Sequence, residues 1–382
     1  MTDNSRGAWS NQIQFVLTCI GFSVGLGNIW RFPAMAYENG GAAFLIPYLT
    51  CSVLVGLPCL YLEFFIGQST QSGPSKAFWY CMPALQGVGW TMSLLSLLTG
   101  CYYNLVVAWC LRYIFDVITF QSSKWTTCNN YWNSDSEFCQ HSIQSLIQTV
   151  PFINLSMDRI HSDKPITGSP GPETENSHFR HRLFNMSATM DQYGMFNWEM
   201  FVALLIAWII TCLSIIKGVS VIGKISFLTA TLPYVIIVIM FIRGVTMDGA
   251  KTGIDYYLLK PDMSAGLYED LPPFLHFSLE IGFGGLLALA SYNKKDHNCF
   301  RDAIIVILCD SLMSIIGGVA VFSTLGSLSK STGKPIDVLF SYDAISTMPV
   351  PELFAFLFFF MLFLLGISSQ FGESIDIFWK RY

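Results

Sequence analysis

The apolar segment at residues 12–37 is long enough to cross a bilayer, but its centre is unsuited to an unbroken helix that faces lipid. Three glycines fall within residues 21–27, and the charged Arg31 follows them. Irregular backbone at membrane depth is tolerated only where protein or a watery cavity supplies partners for its N–H and C=O groups. The pattern therefore predicts one of two structures. It is either a broken helix, whose freed backbone ends bind a cation and a carboxylate, or a seam of small residues between packed helices.

Seven further apolar segments follow, and the composition agrees with a membrane protein. The chain is 52% hydrophobic and 12% charged, with a mean hydropathy of +0.48, whereas a soluble domain carries roughly twice that charged fraction. Several segments exceed the roughly 20 residues that a perpendicular helix needs, so tilting is expected. We therefore expect an all-α polytopic membrane protein with eight spans. The seven segments are 42–67, 85–120, 200–216, 225–247, 272–292, 303–328 and 339–379.

The charges between the apolar segments predict the orientation. Most lysines and arginines of the short loops fall on one side, as do Lys380 and Arg381, which is the positive-inside pattern of a cytoplasmic N-terminus. Basic residues on the other side weaken this signal without reversing it, since aspartates accompany them; they are Arg243, Lys251 and Lys260. Residues 1–11 offer no basic stretch and no cleavage site of a signal peptide, so the first span is expected to be retained. A net charge of −5 without a basic patch does not indicate nucleic-acid binding, and no nucleophile–base grouping or metal-ligand spacing indicates an enzyme.

The polar stretch at 121–198 is expected to be one large extracellular loop. It contains two N-glycosylation sequons, at Asn154 and Asn185, although short matches of this kind also occur by chance. The predicted division of the chain follows. It comprises a cytoplasmic N-terminus at 1–11, spans 1–3 within 12–120, the loop at 121–198, spans 4–8 within 199–379 and a cytoplasmic end at 380–382.

Several motifs together resemble the sodium:neurotransmitter symporter family. The longest is G-F-S-V-G-L-G-N-I-W-R-F-P at 21–33, and others are E-N-G-G at 38–41, F-L-I-P-Y at 44–48, Y-Y-N at 102–104, T-A-T-L-P-Y at 229–234, F-S-L at 277–279, A-S-Y-N-K at 290–294 and S-S-Q-F at 368–371. The resemblance covers nearly the whole chain and is weakest in the large loop. It implies a leucine-transporter-like inverted-repeat fold with discontinuous spans 1 and 6. It also implies a plasma-membrane symporter that moves an amino acid-like solute with sodium.

The resemblance implies two sodium sites made of oxygen donors, which suit a hard cation. For any single serine among these residues, a helix-to-helix hydrogen bond is the alternative. Asp310 stands where the family usually has an asparagine, and Ser368 where many animal members have an aspartate. The first site would use the Ser23 carbonyl, the side chains of Asn28, Ser278 and Asp310, and the carboxylate of the substrate. The second would use the carbonyls of Gly21, Val24 and Leu365 and the hydroxyls of Ser368 and Ser369.

For the substrate, the resemblance implies that the N–H groups of Leu26 and Gly27 and the Tyr103 hydroxyl bind a carboxylate, with Phe277 closing over it. Gly25 stands where monoamine carriers of the family have an aspartate, which favours an amino acid-like solute. Glu280 lies in the expected break of span 6. There it either meets the amino group or a cationic side chain of the substrate, or is protonated or bonded to backbone of its own span.

The resemblance also implies a chloride site and two gates. The chloride site keeps Tyr48, Ser278 and Ser314, but Phe274 replaces its glutamine and Asp310 adds a negative charge nearby. Chloride binding is therefore left open, and reduced chloride dependence is expected. Arg31 and Phe277 would belong to the outer gate, and Arg6 and Trp9 to the cytoplasmic gate. Cys128 and Cys139 would form a disulfide in the large loop, with metal binding as the alternative.

The family has twelve spans, whereas this chain stops after the eighth. Two functions are therefore kept at this point. The first is a sodium-coupled symporter, or a fragment of one. The second is a truncated, transport-incompetent membrane protein that binds or regulates a full-length family member, as a homo- or hetero-oligomer. The expected partners are a small amino acid-like solute and the lipid bilayer.

Overall fold

The computed structural model describes residues 8–121, 183, 194, 196–216, 219–261, 279–332 and 351–378, and all regular structure within these residues is helical. This confirms the all-α prediction. Two π-helical turns, Gly27–Arg31 and Ser52–Gly56, and a 3₁₀ turn, Pro83–Leu85, join some of the α-helices. The α-helices are α1 (Gln12–Ser23), α2 (Phe32–Glu38), α3 (Ala42–Cys51), α4 (Leu57–Thr70), α5 (Pro74–Cys81), α6 (Gln86–Ile118), α7 (Trp198–Ile215), α8 (Val219–Val245), α9 (Ala250–Leu258), α10 (Gly285–Ala290), α11 (Cys299–Thr332) and α12 (Pro351–Phe378).

Six stretches of helix within the described residues are long and apolar enough to cross a membrane. A seventh candidate is the bent pair formed by Gln12–Ser23 and Gly27–Glu38, whose axes differ by 46°. The predicted sixth span, 272–292, is described only from Leu279 onward. The six are Ala42–Thr70, Pro83–Ile118, Trp198–Ile215, Val221–Val245, Cys299–Ser331 and Pro351–Ser374.

The expected break in span 1 is present and covers three residues. α1 ends at Ser23, and Val24 leaves the helical region with φ −82° and ψ 87° while its N–H still donates to the Ile20 carbonyl (2.7 Å). Leu26 returns to right-handed helical geometry, and the π-helical turn continues into α2. The backbone of residues 24–26 therefore makes few helical hydrogen bonds, and its polar groups are available to other partners.

The described part of span 6 is irregular before α10 begins. Gly282 and Gly284 have φ of +90° and +85°, in the left-handed region that glycine enters without a steric penalty. Glu280 also has a positive φ, +52°, which is costly for a residue with a side chain. The Gly282 N–H donates to Glu63 Oε1 of α4 (2.6 Å), so a carboxylate from span 2 stabilises this irregular backbone.

Phe22 fixes the position of the first break against spans 6 and 8. It is fully buried, and burial of such a side chain stabilises the fold by about 1.5–3 kcal/mol. A Cβ on Gly372 of α12 would lie 2.1 Å from Phe22 Cδ2, and one on Gly285 of α10 would lie 2.6 Å from Phe22 Cζ. Two glycines therefore let the ring wedge between α10 and α12. α12 in turn packs along α6, α8 and α1.

Candidate functional site

One polar network joins the broken first span to spans 2 and 7. Asn28, which is fully buried, donates from Nδ2 to Asp310 Oδ1 (2.7 Å) and to Ser314 Oγ (2.8 Å) of α11. The Tyr48 hydroxyl of α3 donates to Asp310 Oδ2 (3.2 Å) and lies 3.4 Å from Ser314 Oγ. The structure thus gathers residues that the sequence assigned separately to a sodium site and a chloride site.

Asn28 also connects this network to the break. Its Oδ1 accepts a hydrogen bond from the Gly25 N–H (3.0 Å). The amide oxygen expected to bind sodium therefore holds a backbone N–H, while the amide nitrogen faces Asp310. The Ser23 hydroxyl, at the end of α1, is buried without a hydrogen-bond partner among the described residues. Carboxylate, amide and hydroxyl oxygens form a donor set that fits a hard monovalent cation.

A second group of oxygens lies where α12 faces the end of α1. The Ser369 hydroxyl donates to the Phe22 carbonyl (3.0 Å), and the Ser368 hydroxyl donates to the Leu365 carbonyl of its own helix (2.8 Å). A Cβ on Gly21 would lie 3.3 Å from Ser368 Cβ. The sequence named carbonyls of Gly21, Val24 and Leu365 as ligands; the carbonyl that Ser369 contacts is that of Phe22, which it did not name.

The backbone at the break meets α6 and span 6 at Gly25. The Leu26 N–H donates to the Tyr103 hydroxyl oxygen (3.3 Å). A Cβ on Gly25 would lie 2.8 Å from Ser369 Oγ, 3.2 Å from the Tyr103 hydroxyl oxygen and 3.7 Å from Glu280 Oε1. Three polar side chains, from α6, α12 and the irregular part of span 6, therefore converge on one backbone position, and a side chain there would displace them.

Sequence reasoning missed a polar cluster one helical turn from this point. Glu373 and Gln370 of α12 are buried against α6, where Gly100 faces them and Asn104 follows one helical turn later on the same side of the helix. The Gln370 amide donates to the Gly100 carbonyl (3.1 Å), and the Ser96 hydroxyl donates to the Glu373 carbonyl (3.1 Å). A carboxylate four residues after Ser369 in an apolar segment was the available signal, because intramembrane ionisable residues are rare and mostly functional.

Of the two residues predicted for the cytoplasmic gate, Trp9 lies within the described residues. Trp9 Nε1 donates to the Leu289 carbonyl of α10 (3.1 Å), which ties the start of span 1 to span 6. Gln12 Nε2 donates to Asp302 Oδ1 (3.0 Å), and the other oxygen of this buried carboxylate lies 2.5 Å from His297 Nε2. The sequence did not single out this second contact. Arg31 lies exposed at the end of the π-helical turn.

Some predicted site residues lie outside the described residues. They are Arg6, Cys128, Cys139, Asn154, Asn185, Phe277 and Ser278, together with Phe274.

Comparison with known proteins gives one consistent result. The family model for the sodium:neurotransmitter symporter family matches residues 6–378. Sodium-dependent transporter snf-5 of Caenorhabditis elegans is 39% identical, over 98% of this chain and 55% of that protein. The human sodium- and chloride-dependent neutral and basic amino acid transporter B(0+) is 37% identical, over 97% of this chain and 62% of that protein. The sodium- and chloride-dependent glycine transporter 2 of Xenopus laevis is 35% identical, over 97% of this chain and 50% of that protein.

The fold has a solved counterpart. The crystal structure of MhsT in complex with L-phenylalanine superposes with a TM-score of 0.70 at 24% identity, covering 97% of this chain and 73% of that one. This confirms the leucine-transporter-like fold. The chain spans 55%, 62% and 50% of the lengths of the three relatives named above.

Proposed function

Because this chain belongs to the sodium:neurotransmitter symporter family, we propose that it carries an amino acid-like solute across the plasma membrane in symport with sodium. The family consists of transporters and not enzymes, and the apolar helices make the chain a multi-pass membrane protein. The observation that carries the proposal is the break at residues 24–26, where freed backbone and the side chains of three other spans converge. Several relatives are named as amino acid or glycine transporters, which supports the solute class.

The solute is proposed to bind through its carboxylate at the start of the second half of span 1. The N–H groups of Leu26 and Gly27 point along a half-helix whose N-terminal end carries a partial positive charge. The Tyr103 hydroxyl, now 3.3 Å from the Leu26 N–H, would donate to the same carboxylate. Gly25 adds no side chain to the point where Ser369, Tyr103 and Glu280 converge.

Two sodium ions are proposed as co-substrates. The first would bind between Asp310, Asn28 and the Ser23 carbonyl, where the carboxylate supplies a full negative charge. The second would bind between the C-terminal end of α1 and the hydroxyls of Ser368 and Ser369, where a helix end supplies only about half an elementary charge. The first site is therefore expected to be the stronger attractor of cations.

Asn28 offers a physical route for coupling sodium to the solute. In this structure its Oδ1 is held by the Gly25 N–H. Sodium at Asp310 would draw that oxygen toward the ion and release the Gly25 N–H to the carboxylate of the solute. Since binding linkage is reciprocal, the solute would raise sodium affinity by the same factor.

Reduced chloride dependence is proposed from the position of Asp310. Its Oδ2 accepts the hydrogen bond from the Tyr48 hydroxyl, which is a donor that the family's chloride site would use. A fixed carboxylate beside these donors both occupies them and repels an anion. The relatives' names state chloride dependence of those proteins, so this chain is proposed to differ from them.

The test is binding of radiolabelled amino acids to the purified chain in lipid nanodiscs, with sodium and chloride varied independently. Binding that requires sodium but persists when gluconate replaces chloride is expected. A chain that binds no amino acid in sodium, while remaining monodisperse, would refute the symporter proposal.

The orientation and the loop modifications remain proposals. We place the N-terminus in the cytoplasm and residues 121–198 outside, with a Cys128–Cys139 disulfide and glycans on Asn154 and Asn185. A shift in gel mobility after glycosidase treatment, lost in Asn154→Gln with Asn185→Gln, is the expected result.

A further inference from the structure

Two glutamates are buried beside the break without basic partners. Glu280 is 7% exposed and Glu373 is 1% exposed. Among the described residues, no lysine, arginine or histidine nitrogen lies within 4 Å of either carboxylate. Two such groups are expensive to bury unless something positive joins them.

Several buried polar side chains of α6, α12 and span 6 also have atoms without partners. Asn104 is fully buried, and neither atom of its amide has a hydrogen-bond partner among the described residues. The same holds for Gln370 Oε1, Glu373 Oε2 and Glu280 Oε2. Buried polar atoms are nearly always hydrogen-bonded, so five open atoms on α6, α12 and the irregular part of span 6 indicate a polar ligand.

The two glutamates lie at different distances from the proposed carboxylate position. Glu280 Oε1 is 3.7 Å from the point where a Gly25 Cβ would be, next to the break itself. Glu373 follows Ser369 by four residues on α12, which places it about 6 Å farther along that helix. Gly100 lies on α6, three residues before Tyr103, and contacts the α12 side of the cluster. A Cβ on Gly100 would lie 3.2 Å from Gln370 Nε2 and 3.3 Å from Glu373 Oε2, so only a glycine leaves these two side chains their present positions.

We propose that this cluster is a subsite for the cationic side chain of a dibasic amino acid such as lysine. Glu280 pairs with the α-ammonium group, close to the carboxylate bound at the break. Glu373 pairs with the distal ammonium group, and the oxygens of Asn104 and Gln370 accept its remaining hydrogens. The four-carbon stem of lysine is long enough to cover about one helical turn between the two glutamates.

This inference rests on the proposed function but is tested separately from it. The probe is sodium-dependent binding of radiolabelled lysine and of norleucine, which has the same length and no distal charge, to the full chain in nanodiscs. Norleucine binding reports the symporter site, and the ratio between the two ligands reports the subsite. The wild-type chain is expected to prefer lysine by about tenfold or more, which corresponds to about 1.4 kcal/mol.

Three substitutions define the result. Glu373→Gln keeps the shape of the side chain, and we expect it to weaken lysine binding about tenfold or more while changing norleucine binding less than about threefold. Gly100→Ala, which narrows the space beside Glu373, is expected to act in the same direction. Glu352→Gln, an exposed glutamate at the start of the same helix, is the matched control and should change neither ligand.

Each outcome decides between the two proposals. Selective loss of lysine binding in Glu373→Gln supports the subsite. Equal binding of lysine and norleucine by the wild-type chain, or equal loss of both in Glu373→Gln, overturns the subsite and leaves the symporter proposal standing. Binding of neither ligand in sodium overturns the symporter proposal and the subsite with it.

Discussion

Replacing Gly25 by alanine tests whether the break is a binding site. A Cβ at this position would lie 2.8 Å from Ser369 Oγ and 3.2 Å from the Tyr103 hydroxyl oxygen. Contacts below 3.0 Å are not tolerated, so at least one neighbour must move. If the serine hydroxyl rotates away, it loses its hydrogen bond to the Phe22 carbonyl; if the tyrosine moves, the Leu26 N–H loses its acceptor.

The expected magnitude follows from this overpacking. Adding a methyl group to a filled site costs about 1–3 kcal/mol. The groups that must move are those proposed to bind the solute and sodium, so most of this cost should appear as weaker binding, by about 5- to 150-fold. Sodium-dependent amino acid binding to Gly25→Ala in nanodiscs measures it directly.

Gly87 provides a matched control. A Cβ at Gly87, near the start of α6, would have nothing within 4 Å. Alanine there should leave binding unchanged, and it should stabilise the helix by about 0.5–1 kcal/mol because glycine is the poorer helix former. Wild-type affinity in Gly25→Ala would show that Ser369 and Tyr103 can move at no cost to binding, and the assignment of this position to the solute would be wrong.

Three further substitutions test other parts of the site. Asp310→Asn should make binding more dependent on chloride, because it removes the fixed charge beside the Tyr48 hydroxyl; binding measured in chloride and in gluconate checks this, and an unchanged ratio would contradict it. Gly372→Ala should lower the thermal unfolding temperature in detergent, since its Cβ would lie 2.1 Å from the Phe22 ring, and an unchanged temperature would show that the ring is not wedged. Trp9→Phe removes a hydrogen bond to the Leu289 carbonyl worth about 1 kcal/mol; amides at the start of α1 should exchange hydrogen a few-fold faster, and equal exchange rates would argue against a gate contact.

The break in span 1 could be predicted from sequence because its cause is local. Glycines at short spacing inside an apolar segment weaken a helix wherever the segment packs, and Val24 does leave the helical region there. The all-α fold was predictable for a similar reason, since long apolar segments in a bilayer must satisfy their own backbone groups. Neither inference needed knowledge of distant contacts.

The details of the site depend on contacts between distant residues, and several were not predictable. Ser369 meets the carbonyl of Phe22, 347 positions away in sequence. The carbonyl that Ser369 contacts depends on how deeply the Phe22 ring inserts between α10 and α12. Glu373 could be recognised from sequence as an ionisable residue in an apolar segment, but its position opposite Gly100 of α6 does not follow from the sequence of α12 alone.

In the proposed site, the buried carboxylates would favour positively charged ligands more strongly than the helix ends would favour negatively charged ones. A freed helix end offers about half an elementary charge, whereas Asp310, Glu280 and Glu373 each offer a full negative charge when ionised. Among the described residues none of the three has a basic partner within 4 Å. Like charges buried near one another repel more strongly than they would in water, so ionised carboxylates here would favour cations between them. In the proposed site, the N–H groups at the break would bind one substrate carboxylate, and the rest of the site would be complementary to positive charge. A zwitterion arriving without sodium would leave that charge unbalanced, which is a physical reason for solute and cation to bind together.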